Sequence, residues 1–354
     1  MEESKEKEKG ICQERRDMIS NLPDSLISQM LSCLPTKEAV RTSVLSNMWK
    51  SLWLLIPSMS LTSYDFPDYN AFVSFVDKSL EEKACFLHKL ELLIQKDNDN
   101  DEHCVTRWVD SVARRSKVKH LDVECVLVKR EFLEVMPLNL YTCESLIYLR
   151  LHRVMLLGGF DYVSLPRLKT MRLEQNVYAN EASLQSLIFS CLVLQDLSIL
   201  QDDNVKVLRV HSQTLTSLTL GFELCDNRMM FYYFGREILE LFLDSPRLKH
   251  LNFNDDVSKC QILSNLMSPS VKVNLGGIRY MTYYSDGIGF SNQQIARNFF
   301  TCIARARDLV ISETIMKLNY SCLKVEPLPQ FRARLVLFGS KSLFSRRGNV
   351  ANAS

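Results

Sequence analysis

One spacing recurs along most of this chain: apolar, two residues of any kind, apolar, one of any kind, apolar. It reads as LHKLEL (87–92), VKHLDV (118–123), LIYLRL (146–151), LKTMRL (168–173), LQDLSI (194–199), LTSLTL (215–220) and LKHLNF (248–253), with a weaker copy, ARDLVI, at 306–311. The central residues Leu90, Leu121, Leu149, Met171, Leu197, Leu218 and Leu251 follow one another at 31, 28, 22, 26, 21 and 33 positions. No copy can bury its own apolar face, so copies must stack, each giving a short strand and a returning segment. The expected fold is an α/β solenoid over residues 57–320, with connections of uneven length. Val105, Trp108, Val109 and Val112 have helical spacing, so the returning side is at least partly helical. Pro166 and Pro246, each two residues ahead of a frame's first leucine, suit turns better than strand interiors.

Side chains alternate along a strand, so the third, fifth and seventh positions of each frame point away from the core and build the concave face. The candidate target-contacting residues on that face are His120, Asp122, Tyr148, Arg150, His152, Arg172, Glu174, Asp196, His250 and Asn252. Arg150 and Arg172 hold the same position in adjacent frames, on strands about 5 Å apart, and would repel unless shared with anions. Two readings stand. Asp122 and Glu174 neutralise them as a charge ladder, or with His152 they form a centre for an acidic or phosphorylated ligand.

Ahead of the frames, residues 17–56 are punctuated as three short helices. Pro23 suits a first helical position, and Leu26, Ile27, Met30, Leu31 and Leu34 follow at helical spacing until Pro35. Thr36 is a candidate N-cap for a second helix, and Ser46 for a third carrying Met48, Trp49, Leu52 and Trp53. A unit this short cannot stabilise itself by burial alone. Its surplus apolar residues, Leu22, Leu26, Leu34, Val44 and Trp49 among them, either dock a partner or cap the repeat array.

Composition narrows the function. Lys plus Arg number 43 against 41 Asp plus Glu, which removes the electrostatic footprint of nucleic-acid and membrane-surface binders, so neither is an expected partner. The N-terminus is alternating charge, with residues 1–16 expected to be disordered. The 11 cysteines are scattered singly, as reduced core thiols are, which points to the nucleus, the cytoplasm or both. Gly158-Gly159 and Gly287-Ile288-Gly289 lack phosphate-loop context and read as turns. Cys85, His88, His103 and Cys104 have zinc-ligand types, but adjacent His-Cys ligands are awkward, so no metal and no cofactor is expected. With no catalytic motif, the chain is expected not to be an enzyme.

The run ISNLPDSLISQMLSCLPTKEAVRTSVLSNMWKSLW resembles an F-box: both Leu-Pro pairs, the TKEAVRTSVLS string and both tryptophans keep register. The stretches CESLIYLRLHRV, LPRLKTMRLEQ, SCLVLQDLSIL and DSPRLKHLNF resemble the leucine-rich repeats that follow such an F-box in plant F-box/FBD/LRR proteins. The resemblance implies a substrate-recognition subunit of an SCF-type ubiquitin ligase. Leu22, Pro23, Leu26, Ile27, Met30, Leu34, Pro35, Val44, Trp49 and Leu52 would dock the Skp-type adaptor, which brings cullin and RING subunits, while the repeats bind an unknown target protein. An adaptor or decoy without target ubiquitylation, and a small-ligand-dependent receptor, are the alternatives. Asn47-Met48 departs from the family's usual Lys-Arg, which puts docking strength in question. EPLPQF (326–331) looks like the approach to an FBD region, but residues 321–354 then read as an irregular tail in its place, without a further frame.

Overall fold

Parallel strands that share one buried face must pair in a register that keeps every inward residue inward. The computed structural model describes residues 22–47, 49–83, 87–96, 104–115, 117–126, 132–157, 163–200, 205–221, 238–255, 257–263, 270–276, 293–312 and 334–338. The expectations for residues 1–16, Met48, Cys85, His103, Gly158-Gly159, Gly287-Ile288-Gly289 and most of 321–354 lie outside the described residues. In chain order the strands are β1 (Ser58–Thr62), β2 (Lys89–Gln95), β3 (His120–Val126), β4 (Glu134–Val135), β5 (Tyr148–His152), β6 (Val154–Leu156), β7 (Thr170–Glu174), β8 (Val177–Tyr178), β9 (Asp196–Leu200), β10 (Val207–His211), β11 (Ser217–Gly221), β12 (Leu239–Asp244), β13 (His250–Asn254), β14 (Cys260–Ile262), β15 (Lys272–Leu275), β16 (Asp308–Ser312) and β17 (Arg334–Phe338).

Eleven of them form one sheet in the order β1-β2-β3-β5-β7-β9-β11-β13-β15-β16-β17. Every pairing in it is parallel. Met59, Leu90, Leu121, Leu149, Met171, Leu197, Leu218, Leu251, Val273 and Leu309 share one register row, and all are buried. Two shorter parallel sheets, β4-β6-β8 and β10-β12-β14, lie in the connections. The helices α3 (Tyr69–Lys83), α4 (Val105–Arg115) and α5 (Glu181–Phe189), and a further helix at Gln293–Ile303, fill other connections. α4 buries Val105, Trp108, Val109 and Val112, as their spacing required. Pro166 and Pro246 lie in the turns ahead of β7 and β13.

Three main-sheet strands were not read from the frame. IPSMSL at 56–61 fits it and becomes β1. β15 has Ser270 at its first apolar position, and Val271, buried beside it, fills that place. β17 has Arg332 there, and it corrects the reading of 321–354 as wholly irregular: Arg334–Phe338 pairs with Asp308–Ser312 over five residues. The array thus continues past residue 320.

The N-terminal unit differs in detail from three α-helices. α1 (Asp24–Ser32) and α2 (Thr36–Arg41) form, with Pro23 and Pro35 as the residues just before them. Thr36 is the first residue of α2 rather than its cap, and its Oγ1 accepts a hydrogen bond from the Ser60 amide at 2.9 Å, tying the unit to β1. The third helix is only a 3-10 turn, Leu52–Leu55. Ser46, Asn47 and Ser51 favour turns, and Pro57 forces Ile56 into extended backbone. Ile27, Leu31, Ala39, Trp49, Leu52, Trp53 and Ile56 form a separate small core. Phe75 of α3 packs on both cores and stacks on Trp53 with ring centres 5.9 Å apart. The unit is therefore buttressed by the array on one side.

Two of the buried polar features among the described residues tie neighbouring repeats together. Asn176 donates to the Leu151 carbonyl (2.9 Å) and accepts from the Val154 amide (3.1 Å), satisfying backbone groups of the preceding repeat. Lys96 and Glu134 form a buried ion pair at 2.9 Å. Seven cysteines among the described residues are free; burial pushes the Cys125 and Cys191 thiols up to about 12, which leaves them inert as nucleophiles.

Candidate functional site

The open face of the main sheet carries the polar positions in three rows. Asp122, Arg150 and Arg172 are register partners across β3, β5 and β7. Glu124, His152 and Glu174 form the next row, and His120, Tyr148 and Thr170 the third. The frame's alternation puts all ten expected residues on this face, since the rows continue through β9 and β11 to β13. His250 and Asn252 lie farther along on β13, separated from β5 by β7, β9 and β11. Asn252 donates to Thr219 Oγ1 at 3.1 Å. Lys89 and Glu91 of β2 belong to the same face and were missed, although the third and fifth positions of LHKLEL are the same signal.

Arg150 decides between the two readings of this face. Its Nη1 donates to Asp122 Oδ1 (3.1 Å) and Glu124 Oε2 (2.6 Å), its Nη2 to Glu174 Oε2 (2.6 Å), and its Nε to both Glu174 oxygens (3.2 and 3.1 Å). Its side chain is only 10% exposed. Burial alone would lower its pKa, but the carboxylates outweigh this and raise it. Arg172 turns the other way, its guanidinium 5.9 Å from the Tyr148 ring centre. The expected repulsion is avoided by divergence: one cation takes the carboxylates, its neighbour an aromatic face. The acidic-ligand centre expected of Arg150, Arg172 and His152 therefore loses Arg150, which three carboxylates already hold, while the charge-ladder reading holds for Arg150 and not for Arg172.

His152 is buried on this face, its Nδ1 3.8 Å from Glu124 Oε1. Burial depresses its pKa to about 4, against the pull of Glu124 and Glu174, with Arg150 and Arg153 adding to the depression. The folded state therefore holds a neutral ring where the unfolded chain, with a pKa near 6.5, takes up a proton. The resulting stability is fully present above about pH 6.5 and is lost as pH falls towards 4. His152→Gln is expected to flatten that part of the stability profile, read as denaturant midpoints between pH 7 and 4.

The N-terminal unit offers a second surface. On α1, Ile27 and Leu31 form the buried stripe, while Leu26 and Met30, with Leu34 beyond the helix, form an exposed one. Val44 is 87% exposed, and Leu45 and Leu55 are exposed too, though spacing did not single them out. Of the expected docking set, Leu26, Met30, Leu34, Val44, Pro23 and Pro35 are exposed and Leu22 is half-buried. Ile27, Trp49 and Leu52 are corrected: they are core, and a partner cannot reach them without unfolding the unit. Asn47 is exposed. Cys104 is buried and His88 exposed, so two of the four zinc-type residues differ in setting.

Residues 19–59 match the F-box domain model, and residues 105–262 match the model described as FBD-associated F-box protein At5g56370, LRR repeats. The FBD-associated F-box protein At5g44490 of Arabidopsis thaliana is 51% identical over 339 residues, covering 94% of this chain and 68% of its own length. The chain belongs to the F-box/FBD/LRR-repeat family. The putative F-box/FBD/LRR-repeat protein At5g22610 of Arabidopsis thaliana is 52% identical over 338 residues, 92% of this chain and 66% of that one. A third Arabidopsis thaliana relative, the FBD-associated F-box protein At5g22730, is 52% identical over 321 residues, 89% of this chain and 68% of its own. The N-terminal unit is the F-box, and the parallel array is the leucine-rich-repeat region. Among the described residues, no helix is long and apolar enough to cross a membrane.

Proposed function

We propose that this chain is the non-catalytic substrate-recognition subunit of an SCF-type ubiquitin ligase. The exposed stripe of Leu26, Met30 and Leu34 carries the reading: a soluble helix that already has a buried stripe at Ile27 and Leu31 has no internal use for a second. This stripe docks the Skp-type adaptor, which brings the cullin and RING subunits. The open sheet face then binds a target protein. Its β2 to β7 half is charged, whereas the fifth positions of β9 to β15, Ser198, Thr219, Asn252 and Asn274, are neutral hydrogen-bonding groups. The chain's contribution to catalysis is effective concentration, since it holds target lysines beside the charged E2. Free thiols, most of them buried among the described residues, suit residence in the reducing nucleus or cytoplasm.

The test is a reconstituted ligase supplied with proteins captured on the repeat face. Ubiquitylation of a captured protein that depends on both the F-box and the repeats is expected. Adaptor binding with no ubiquitylated partner would instead favour a decoy.

A further inference from the structure

We propose that Glu91, His120 and Asp122 form a three-ligand site for a borderline divalent metal ion, Zn²⁺ by ligand chemistry, on the open face of the repeat sheet. One imidazole nitrogen and two carboxylate oxygens, one from each residue, lie within 4.8 Å of one another. Glu91 and Asp122 are direct register partners on β2 and β3, and His120 precedes Asp122 by two on the same face of its strand. His120 Nε2 and Glu91 Oε1 are 3.3 Å apart. Two donors each about 2.0–2.1 Å from a tetrahedral ion are separated by roughly that distance.

Further observations set this cluster apart from ordinary surface charge. His120 Nε2 is shut off from solvent yet has no aligned hydrogen bond, so its approach to Glu91 is spaced like shared ligation. The ring is clamped: it stacks on Tyr148 with centres 4.0 Å apart and planes 2° from parallel. The stacking fixes the plane of the ring, an orientation that metal-site histidines more often owe to a hydrogen bond from their second nitrogen. The imidazole donor disfavours Ca²⁺ and Mg²⁺, hard cations that take oxygen ligands.

Two cations compete for the site. Lys89 Nζ sits 2.9 Å from Glu91 Oε1, and Arg150 holds one oxygen of Asp122. Arg150 also serves Glu124 and Glu174, so Lys89, on a flexible and half-exposed stem, is the one that must swing away. Three protein ligands leave a fourth position open on the target face, available to water or to a donor from a bound protein.

The test uses the tag-free full chain, stripped with chelator and titrated with Zn²⁺ by calorimetry and with Co²⁺ by visible absorption. One ion per chain is expected, with the intense visible bands of four-coordinate Co²⁺. His120→Ala should weaken binding by at least about 100-fold, since even supporting residues around a metal are worth 10–100-fold. Lys89→Met should tighten it by removing the competitor, an effect that neither misfolding nor adventitious surface binding would produce. Circular dichroism of each variant checks that the fold is retained. Unchanged stoichiometry and affinity in His120→Ala, or no binding by the wild-type chain at up to about 100 μM Zn²⁺, overturns the site. Because the readout needs neither adaptor nor target, it stands or falls apart from the ligase reading.

Discussion

The double variant Leu34→Asp, Val44→Asp loses co-purification with a Skp-type adaptor while the chain stays folded. Both side chains are exposed, so the substitutions should change folding stability by less than about 0.5 kcal/mol. At an apolar interface each places an unpaired carboxylate where water has been expelled. Apolar anchors at such interfaces are each worth about 2 kcal/mol or more, so the pair should weaken binding by roughly 1,000-fold. Size-exclusion co-elution and urea midpoints of the same samples check the two halves of the expectation. Trp49→Ala would also lose the adaptor, but by a different route. It empties a small core, at a cost of about 3–5 kcal/mol, and a unit of this size cannot absorb that loss. Retained binding in the double aspartate variant would show that docking uses some other surface.

Arg150→Met should be among the most destabilising single changes in the repeat array. It leaves Asp122, Glu124 and Glu174 crowded on a largely desolvated face without their shared cation. Removing one partner of such a cluster typically costs about 3–5 kcal/mol, whereas replacing the whole cluster with neutral residues costs much less. The combination Arg150→Met, Asp122→Asn, Glu124→Gln, Glu174→Gln should therefore recover most of the loss. In the single variant the uncompensated carboxylates are easier to protonate in the fold than in the unfolded chain. Its deficit should then be largest at neutral pH and shrink as pH falls. Urea midpoints across pH 7 to 4 measure both effects.

Much of this architecture was legible because a frame of three apolar residues constrains the backbone wherever it occurs. The frame failed at β15 and β17 for one reason: Ser270 and Arg332 occupy the first apolar position. At β15 a neighbouring valine supplies the buried contact instead. At β1 the frame was intact but lay against the F-box boundary. Alternation likewise assigned Asp122, Arg150 and Glu174 to one face. It could not say that Arg150 would collect three carboxylates while Arg172 turned to Tyr148, because that choice depends on register between strands more than 20 residues apart in sequence. In the F-box, periodicity grouped Leu26, Ile27, Met30 and Leu31 without separating inner from outer stripe. Adjacent helical positions differ by only about 100°, and which stripe is covered depends on the packing of α2, Trp49 and Trp53.

The sequence by itself determined a helical unit joined to stacked parallel strands, since frame spacing and proline placement act locally and leave the chain few alternatives. Only the tertiary structure decided which apolar residues remain free to dock and which charges are already spoken for. Both are properties of neighbours brought together from distant parts of the chain. Burial and pairing of a side chain depend on those neighbours as much as on its own identity.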